Sequence, residues 1–359
     1  MMAAATGIGV TVMIASFRVS VDDWLAQLLR ADVYVSLEGA GATLGASVLD
    51  DDVLSRLTAQ PEIRAVTTAR GARIGTAGEP ARVVAYGLHR EAFDGFQFLA
   101  GDGAAIWPDW EAPDTIIVTE PFAWHRQLAP GAALMLETAR GPRPFTVRGV
   151  YRDYGSERGL IAMSSATYRK HFDDRAIDGI GVYAAAETAP AAVTRAIEAA
   201  LPPELAIQTI DNAAIRTLSL EVFDRTFIVT GVLRNLALII ACAGMFSSLM
   251  ALGFERTRLL AIYRALGLSA GELFTITVTE STLAGLAAGL IAVPTGIAMA
   301  LGLIEVINVR SFGWSMGLSV PASALASVVG VTVLAALAAG IYPAWRAARV
   351  PVALALHGE

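Results

Sequence analysis

Three long uncharged runs crowd the last third of the chain, Leu236–Leu252, Leu283–Ile304 and Ala322–Ala344, and they constrain its fold more than any other feature. At roughly 1.5 Å of rise per residue, each helix reaches or approaches the ~30 Å of a hydrocarbon core. Within that core every backbone polar group must be satisfied inside its own helix, so all three are expected to cross a membrane as helices. The first run is short and is extended upstream by Phe227–Leu233, with Arg234 and Asn235 between. A midplane arginine costs roughly 2.5–3.5 kcal/mol on insertion scales, which places this pair at the outer interface, snorkelling, with the helix beyond continuing as a stalk.

Composition agrees: 55% of the 359 residues are hydrophobic and 17% charged, with a mean hydropathy of +0.54. The charge is uneven. Arg18–Arg225 holds 20 basic and 28 acidic residues, net −8, and the remainder 7 and 5, net +2. An acidic, water-exposed block of about two hundred residues, large enough for its own core, is therefore inserted between a short apolar N-terminal segment and the membrane helices. Cys242, the only cysteine, lies within an apolar run and allows no internal disulfide.

Met2–Phe17 is apolar but shorter than the usual ~20 residues, lacks a basic leading region and is followed by Arg18. It reads as part of a first membrane helix, not a signal peptide, with the open reading frame expected to extend upstream. The fold class predicted is a membrane all-α bundle, three complete transmembrane helices plus a partial N-terminal one, with an inserted extracytoplasmic α+β domain. The boundaries expected are 1–20 for the partial helix, 21–221 for the domain, and 222–253 for the stalk and second span. A cytoplasmic loop at 254–272, a third span at 273–304, an external loop at 305–320, a fourth span at 321–344 and a tail at 345–359 follow.

Arginines in short loops set the orientation. Arg256, Arg258 and Arg264 in the first loop and Arg346 and Arg349 in the tail stand against Arg310 alone in the opposite loop, so loop and tail are cytoplasmic and the acidic domain is outside. Within the second apolar run Gly285 and Gly289 form GxxxG, and Ala336 and Gly340 form small-xxx-small in the third; the patterns suit close helix packing, against the alternative of an alanine-rich helix. Pro294 removes a backbone donor and bends its helix. Glu280 has two readings: a polar contact inside the bundle, or a carboxylate reaching interfacial water.

In the inserted block, Ala31–Leu37, Ala81–Leu88, Asp114–Glu120, Pro144–Tyr151 and Gly179–Ala185 read as strands. Helices are expected from an Asp50–Asp52 cap to Gln60, from Ser164 to His171, and from Thr188 with Pro190 to the residue before Pro202. Catalytic signals are sparse. Lys170 is the only lysine and no glycine loop precedes it, so a Walker A loop is excluded. His89, His125, His171 and His357 are far apart, with no HExxH and no metal-ligand spacing, and read as surface residues. Ser156 lacks the glycine spacing of a nucleophile elbow, and Asp153, Glu157 and Arg158 read as a solvated turn.

The loop after the first run is the most informative segment. From Glu255, Leu259, Ile262, Tyr263 and Leu266 fall on one helical stripe, with Arg256, Arg258 and Arg264 off it. Gly267 can stop this short helix in a left-handed turn, and Ser269 with Glu272 makes a capping box for the next span. A linker lying on lipid, its arginines on phosphate headgroups, is the alternative.

The segment ERTRLLAIYRALGLSAGEL, Glu255–Leu273, resembles the signature loop of the FtsX-like permeases of ABC transporters, and YPAWRAARVPVALAL, Tyr342–Leu356, resembles that family's terminal motif. Leu259 stands where the family usually has Glu, and Ala261 where it often has Gly. Gly149–Ser164, Ser219–Phe227 and Arg310–Ser315 are similar to the second half of ten-span permeases, and the inserted block to the MacB-like periplasmic core domain. The resemblance implies a multi-pass subunit of the cell's inner membrane that works by mechanotransmission, not as an enzyme. Its loop would act as a coupling helix, with Glu255, Arg256, Arg258, Leu259, Ile262, Tyr263, Arg264, Leu266 and Gly267 engaging a separate dimeric P-loop ATPase subunit.

No cofactor is expected in this chain, because ATP and Mg would be bound by that partner. A second permease half or protomer and membrane lipid complete the partners, without nucleic acid. The cargo implied is a lipid, lipoprotein, peptide or drug, exported or extracted. A regulator that relays ATPase motion to a periplasmic cell-wall hydrolase is the alternative, and a membrane-tethered hydrolase a third class.

Overall fold

The computed structural model describes residues 2–37, 49–76, 79–255, 259, 262–263 and 266–348. They divide into two units, one of residues 1–19, 223–307 and 316–359, the other of residues 20–222 and 308–315.

In the transmembrane unit the long helices are α1 (Met2–Leu28), α7 (Asn212–Glu255), α8 (Ala270–Leu301) and α9 (Ala322–Ala348); α1 and α7 each run on into the second unit. Among the described residues three stretches are long and apolar enough to span a bilayer: Met2–Leu28, Ala270–Phe312 and Leu325–Tyr342. The run Leu236–Leu252 lies inside the unbroken helix α7. The first helix differs from its expected extent, continuing through Arg18 to Leu28. Arg18 is accommodated by Asp224 on α7, with Nε donating to Oδ1 at 2.8 Å and Nη2 to Oδ2 at 3.2 Å, while Phe17 packs edge-on against Phe223 and Phe227.

Small residues let these helices meet. Gly285 of α8 faces α9 so closely that a Cβ built there would lie 2.3 Å from the Cβ of Ala336, and Gly340 meets Ser281 in the same way. Gly289 lies beside Val329. Two turns further along α8 the small-residue face turns to α1: a Cβ on Gly296 would sit 2.6 Å from Ile8 and 2.8 Å from the Ala5 carbonyl oxygen. Where lipid supplies no hydrophobic drive between helices, such backbone proximity provides the dispersion contact that holds them together. Hydroxyls follow the same economy: Thr277, Ser281, Thr282 and Thr332 each donate to the carbonyl four residues earlier. α8 passes through Pro294 without a break in its helical run.

The third span does not end in a loop at residue 304. The helix loosens into a π-helical stretch, Gly302–Asn308, and closes with one α-turn, Val309–Phe312, stopped by Gly313 at φ +77°.

The second unit is a mixed sheet with helices on it, supplied by β1 (Val33–Leu37), α2 (Asp51–Thr58), β2 (Ile63–Thr76), β3 (Glu79–Gly87), β4 (Phe98–Ala100), α3 (Gly103–Ile106), β5 (Thr115–Thr119), α4 (Glu120–Arg126), β6 (Ala133–Thr138), β7 (Gly141–Tyr151), β8 (Ile161–Ser164), α5 (Ser165–Phe172), β9 (Gly179–Ala184), α6 (Pro190–Ala200) and β10 (Ile207–Asp211). Strand order is β10-β1-β9-β2-β3-β8-β5-β7-β4, with β6 on β7. The pairs β3–β8 and β5–β7 are parallel and the others antiparallel. One core, around Phe145, Leu136, Ile116 and Met163, lies under the β5–β7 end; another, around Val33, Leu57, Ile180 and Ile197, packs α2 and α6 on the β1–β9 end; a third gathers Ile106, Trp110, Ile117 and Tyr151.

The five expected strands form, and β2, β4, β6, β8 and β10 add to them. β2 escapes periodicity because IRAVTTARGARIGT fills half its inward positions with Ala, Gly and Thr, whose burial gives no clear alternation. Asp50 caps α2, its side chain accepting from the Asp52 and Val53 N–H groups, but the helix stops at Thr58 and not at Gln60. Ser164 caps α5 through the Thr167 N–H. Thr188 is not a cap: Ala189 holds that position without a side-chain bond, and Pro190 at the first helical position sets the start.

Gly285→Ala is expected to lower the stability of the detergent-solubilised chain by about 1–3 kcal/mol through overpacking. Adding Ala336→Gly should restore most of the loss, read as the shift in thermal unfolding midpoint across the double-mutant cycle.

Candidate functional site

The loop between α7 and α8 starts where α7 ends at Glu255. Leu259, Ile262 and Tyr263 are helical and exposed, and the stripe ends at Leu266, 74% exposed. Arg256, Arg258 and Arg264 lie outside the described residues, as does His357. The Leu266 N–H donates to the Ile262 carbonyl at 3.0 Å and the Leu268 N–H to that of Tyr263 at 3.2 Å, spanning Gly267 at φ +103°. That six-residue closure with a left-handed glycine is the Schellman stop, and a β-carbon at Gly267 would oppose its φ. Ser269 then opens α8: its Oγ accepts from the Glu272 N–H at 3.3 Å, and Glu272 Oε2 accepts from the Ser269 N–H at 2.7 Å. The described stripe residues Leu259, Ile262, Tyr263 and Leu266 are exposed, the Schellman stop closes the segment at Gly267, and the capping box fixes where α8 begins.

A second constellation was not legible from spacing. Residues 308–315, joining α8 to α9, belong to the sheet-bearing unit. The loop closes on itself through Asn308, whose Nδ2 donates to the Trp314 carbonyl at 2.8 Å while Trp314 Nε1 donates to Oδ1 at 3.0 Å. The Tyr154 hydroxyl donates to the Ser315 carbonyl at 2.7 Å, the Ser315 N–H to Glu120 Oε2 at 2.9 Å, and Arg152 Nη2 reaches Ser315 Oγ at 3.4 Å. Trp24, Tyr154 and Trp314 meet edge to face in sequence, with centroids 5.9 and 5.7 Å apart. The only sequence signals for this clasp were the segments Gly149–Ser164 and Arg310–Ser315, marked by resemblance.

The model of the FtsX-like permease C-terminal region matches residues 233–352, and that of the MacB-like periplasmic core domain matches residues 1–200. The chain belongs to the FtsX-like permeases of ABC transporters that carry a MacB-like periplasmic core domain. It is 31% identical over 363 residues to an uncharacterized ABC transporter permease protein of Mycobacterium tuberculosis, covering 100% of this chain and 42% of that relative's length. Among solved structures it is similar to the periplasmic region of MacB from Actinobacillus actinomycetemcomitans, at 13% identity, 54% of this chain, 94% of that one and a TM-score of 0.40. It is also similar to the extracellular domain of the noncanonic ABC-type transporter YknZ from Gram-positive bacteria, at 12% identity, 50% and 99% coverage and a TM-score of 0.35. The permease is a membrane protein with its core domain on the extracytoplasmic side.

Two readings of the permease's polar residues change. His171 is not on the surface: it is buried against Phe145, with Nε2 on Asp114 Oδ1, and His89 is half-buried, whereas His125 is exposed. Asp153 is not in a solvated turn. Only 7% exposed, it accepts from the Gly155 N–H at 3.3 Å through Oδ1, and Oδ2 is buried without a partner. Arg152 and Tyr154 on either side reach out to the 308–315 loop, which turns the residue between them inward. Glu157 and Arg158 are exposed. Burial pushes the Asp153 carboxyl up from 3.8 to about 6, against the opposing pull of the Gly155 N–H and Arg82.

Because the folded carboxyl keeps its proton to a higher pH than the unfolded one, its contribution to stability is complete below pH 3.8 and lost as pH rises through about 6, on the order of 3 kcal/mol. Asp153→Asn should therefore gain stability over the parent at pH 7.5 and not at pH 4, measured by thermal unfolding of the whole chain at both values.

Proposed function

We propose that this permease is the transmembrane subunit of an ABC transporter, and that its 255–267 segment receives the motion of a separate ATPase subunit, which holds ATP and Mg. The observation that carries the reading is the exposed stripe Leu259, Ile262, Tyr263 and Leu266, held between the end of α7 and the Schellman stop at Gly267. An exposed apolar stripe at helical spacing suits a groove on a protein partner, where a few apolar anchors supply most of the binding energy. Arg256, Arg258 and Arg264 would add charge-assisted contacts around it.

Helix α7 supports the mechanical half of the proposal. Its 44 residues form one helix, about 65 Å long at ~1.5 Å per residue, that begins in the core-domain unit and ends at the loop. A displacement at Glu255 is passed along a continuous hydrogen-bonded rod. The chain itself is not the catalyst in this reading; it transmits work to the extracytoplasmic domain for export or extraction of a lipid, lipoprotein, peptide or drug. A second permease half or protomer would complete the assembly.

Ile262→Asp combined with Arg264→Glu is expected to abolish co-purification of the ATPase subunit, while the Gly285 and Gly340 helix contacts keep the variant folded and in the membrane. Undiminished recovery of the complex would remove the loop from the docking role.

A further inference from the structure

The side chains that hold residues 308–315 in the core-domain unit also grip the end of α1 that lies in that unit. Arg152 is the centre of this junction. Besides reaching Ser315 Oγ with Nη2, it donates from Nη1 to Gln97 Oε1 at 3.2 Å and from its backbone N–H to the Gln97 carbonyl at 2.9 Å. The Gln97 amide donates in turn to Gln27 Oε1 of α1. Tyr154, two residues on, gives its hydroxyl to the Ser315 carbonyl and its ring to both Trp314 and Trp24 of α1. Below the loop, a Cβ on Gly313 would lie 3.0 Å from the Trp124 Cβ and 3.1 Å from the Pro121 Cα, so the backbone there has no room to shift. A polar relay through Arg152 and an aromatic chain through Tyr154 thus run from α1 to the continuation of α8.

The same helix is bound to α8 and its continuation within the transmembrane unit. Gly296 lies on Ile8, and Ser16 Oγ accepts from the Ser319 N–H at 2.9 Å and donates to the Ser319 carbonyl at 3.2 Å. A helix attached to its neighbour at one point can swing about it; attachment at separated points along α1 removes that freedom. Interfaces of buried hydrogen bonds and packed rings hold discrete arrangements and do not deform continuously. α7 is joined to α1 in each unit as well, by Arg18 with Asp224 in one and by Arg216 Nε with Asp22 Oδ1 at 2.6 Å in the other. Both helices that leave the 255–267 loop, α7 and α8, are therefore tied to α1.

We propose that α8 is a second route by which motion of the 255–267 loop reaches the core domain, with Arg152 and Tyr154 as its point of attachment. The inference rests on the coupling role of that loop and extends it: residues 308–315 and the core domain move as one body.

The test uses the full chain in nanodiscs with Cys242→Ser, spin-labelled at Ser311→Cys in the loop and Glu198→Cys on α6, both exposed positions. Without nucleotide, pulsed electron paramagnetic resonance should give one narrow distance in this parent. Arg152→Gln combined with Tyr154→Phe should at least double its width, with the circular dichroism spectrum unchanged. With the ATPase subunit bound, ATP should leave the parent distance where it was and shift that of the double variant. A double variant as narrow as the parent would overturn the attachment, and a parent distance that shifts with ATP would show the loop moving apart from the domain. A broadened double variant indifferent to ATP would remove α8 as a route. Loss of the coupling role reads differently: the ATPase subunit then fails to co-purify, which removes the second route with it, while the nucleotide-free widths still decide the attachment.

Discussion

The approach of Gly285 to Ala336 and of Gly296 to Ile8 governs the transmembrane unit. In lipid, a pair of helices gains nothing from burying apolar surface, since the tails around them are equally apolar; it gains from atoms brought within van der Waals range. The face Ser281, Gly285, Gly289 serves α9, and a little further on Gly296 and Ala300 serve α1, so α8 is the shared element of the bundle. The position of α8 in turn fixes where the loop before it and the connection after it leave the membrane.

At both of those connections the described residues carry defined local structure. On one side, the Schellman stop at Gly267 and the Ser269–Glu272 box determine where α8 begins and leave the apolar stripe open. On the other, the helix unwinds through a π-helical stretch and ends at Gly313, and Asn308, Trp314 and Ser315 are absorbed into the hydrogen bonding of the core-domain unit. π-Helical stretches recur where a helix must re-aim its side chains. Here it turns Asn308 into reach of Trp314. Asp153 belongs to the same neighbourhood: its neighbours Arg152 and Tyr154 serve the loop, and its own carboxyl is left buried with one oxygen unpaired.

Much of this was legible along the chain. The uncharged runs, the Leu259–Leu266 stripe, Gly267 and the Ser269–Glu272 box are local patterns whose physics acts within a few residues, as are the Asp50 and Ser164 caps. β2 and β8 were not legible, because their small or uniformly apolar residues lack a period and become strands only through pairing with β3 and β9 or with β3 and β5. His171 and Asp153 were misplaced for a related reason. A polar residue is buried or exposed by what folds over it, and Asp114, in the turn before β5, and Phe145 of β7 meet His171 from well upstream in sequence.

By itself the sequence determined which segments enter lipid, which way they face, and where α8 begins, since hydropathy, arginine placement and caps are properties of neighbouring residues. Only the tertiary structure decided that Gly296 meets Ile8, that Ser315 bonds to Glu120, and that Arg152 links Gln97 to Ser315. Those contacts join residues up to almost three hundred positions apart, and their energies exist only once the chain has closed the distance between them.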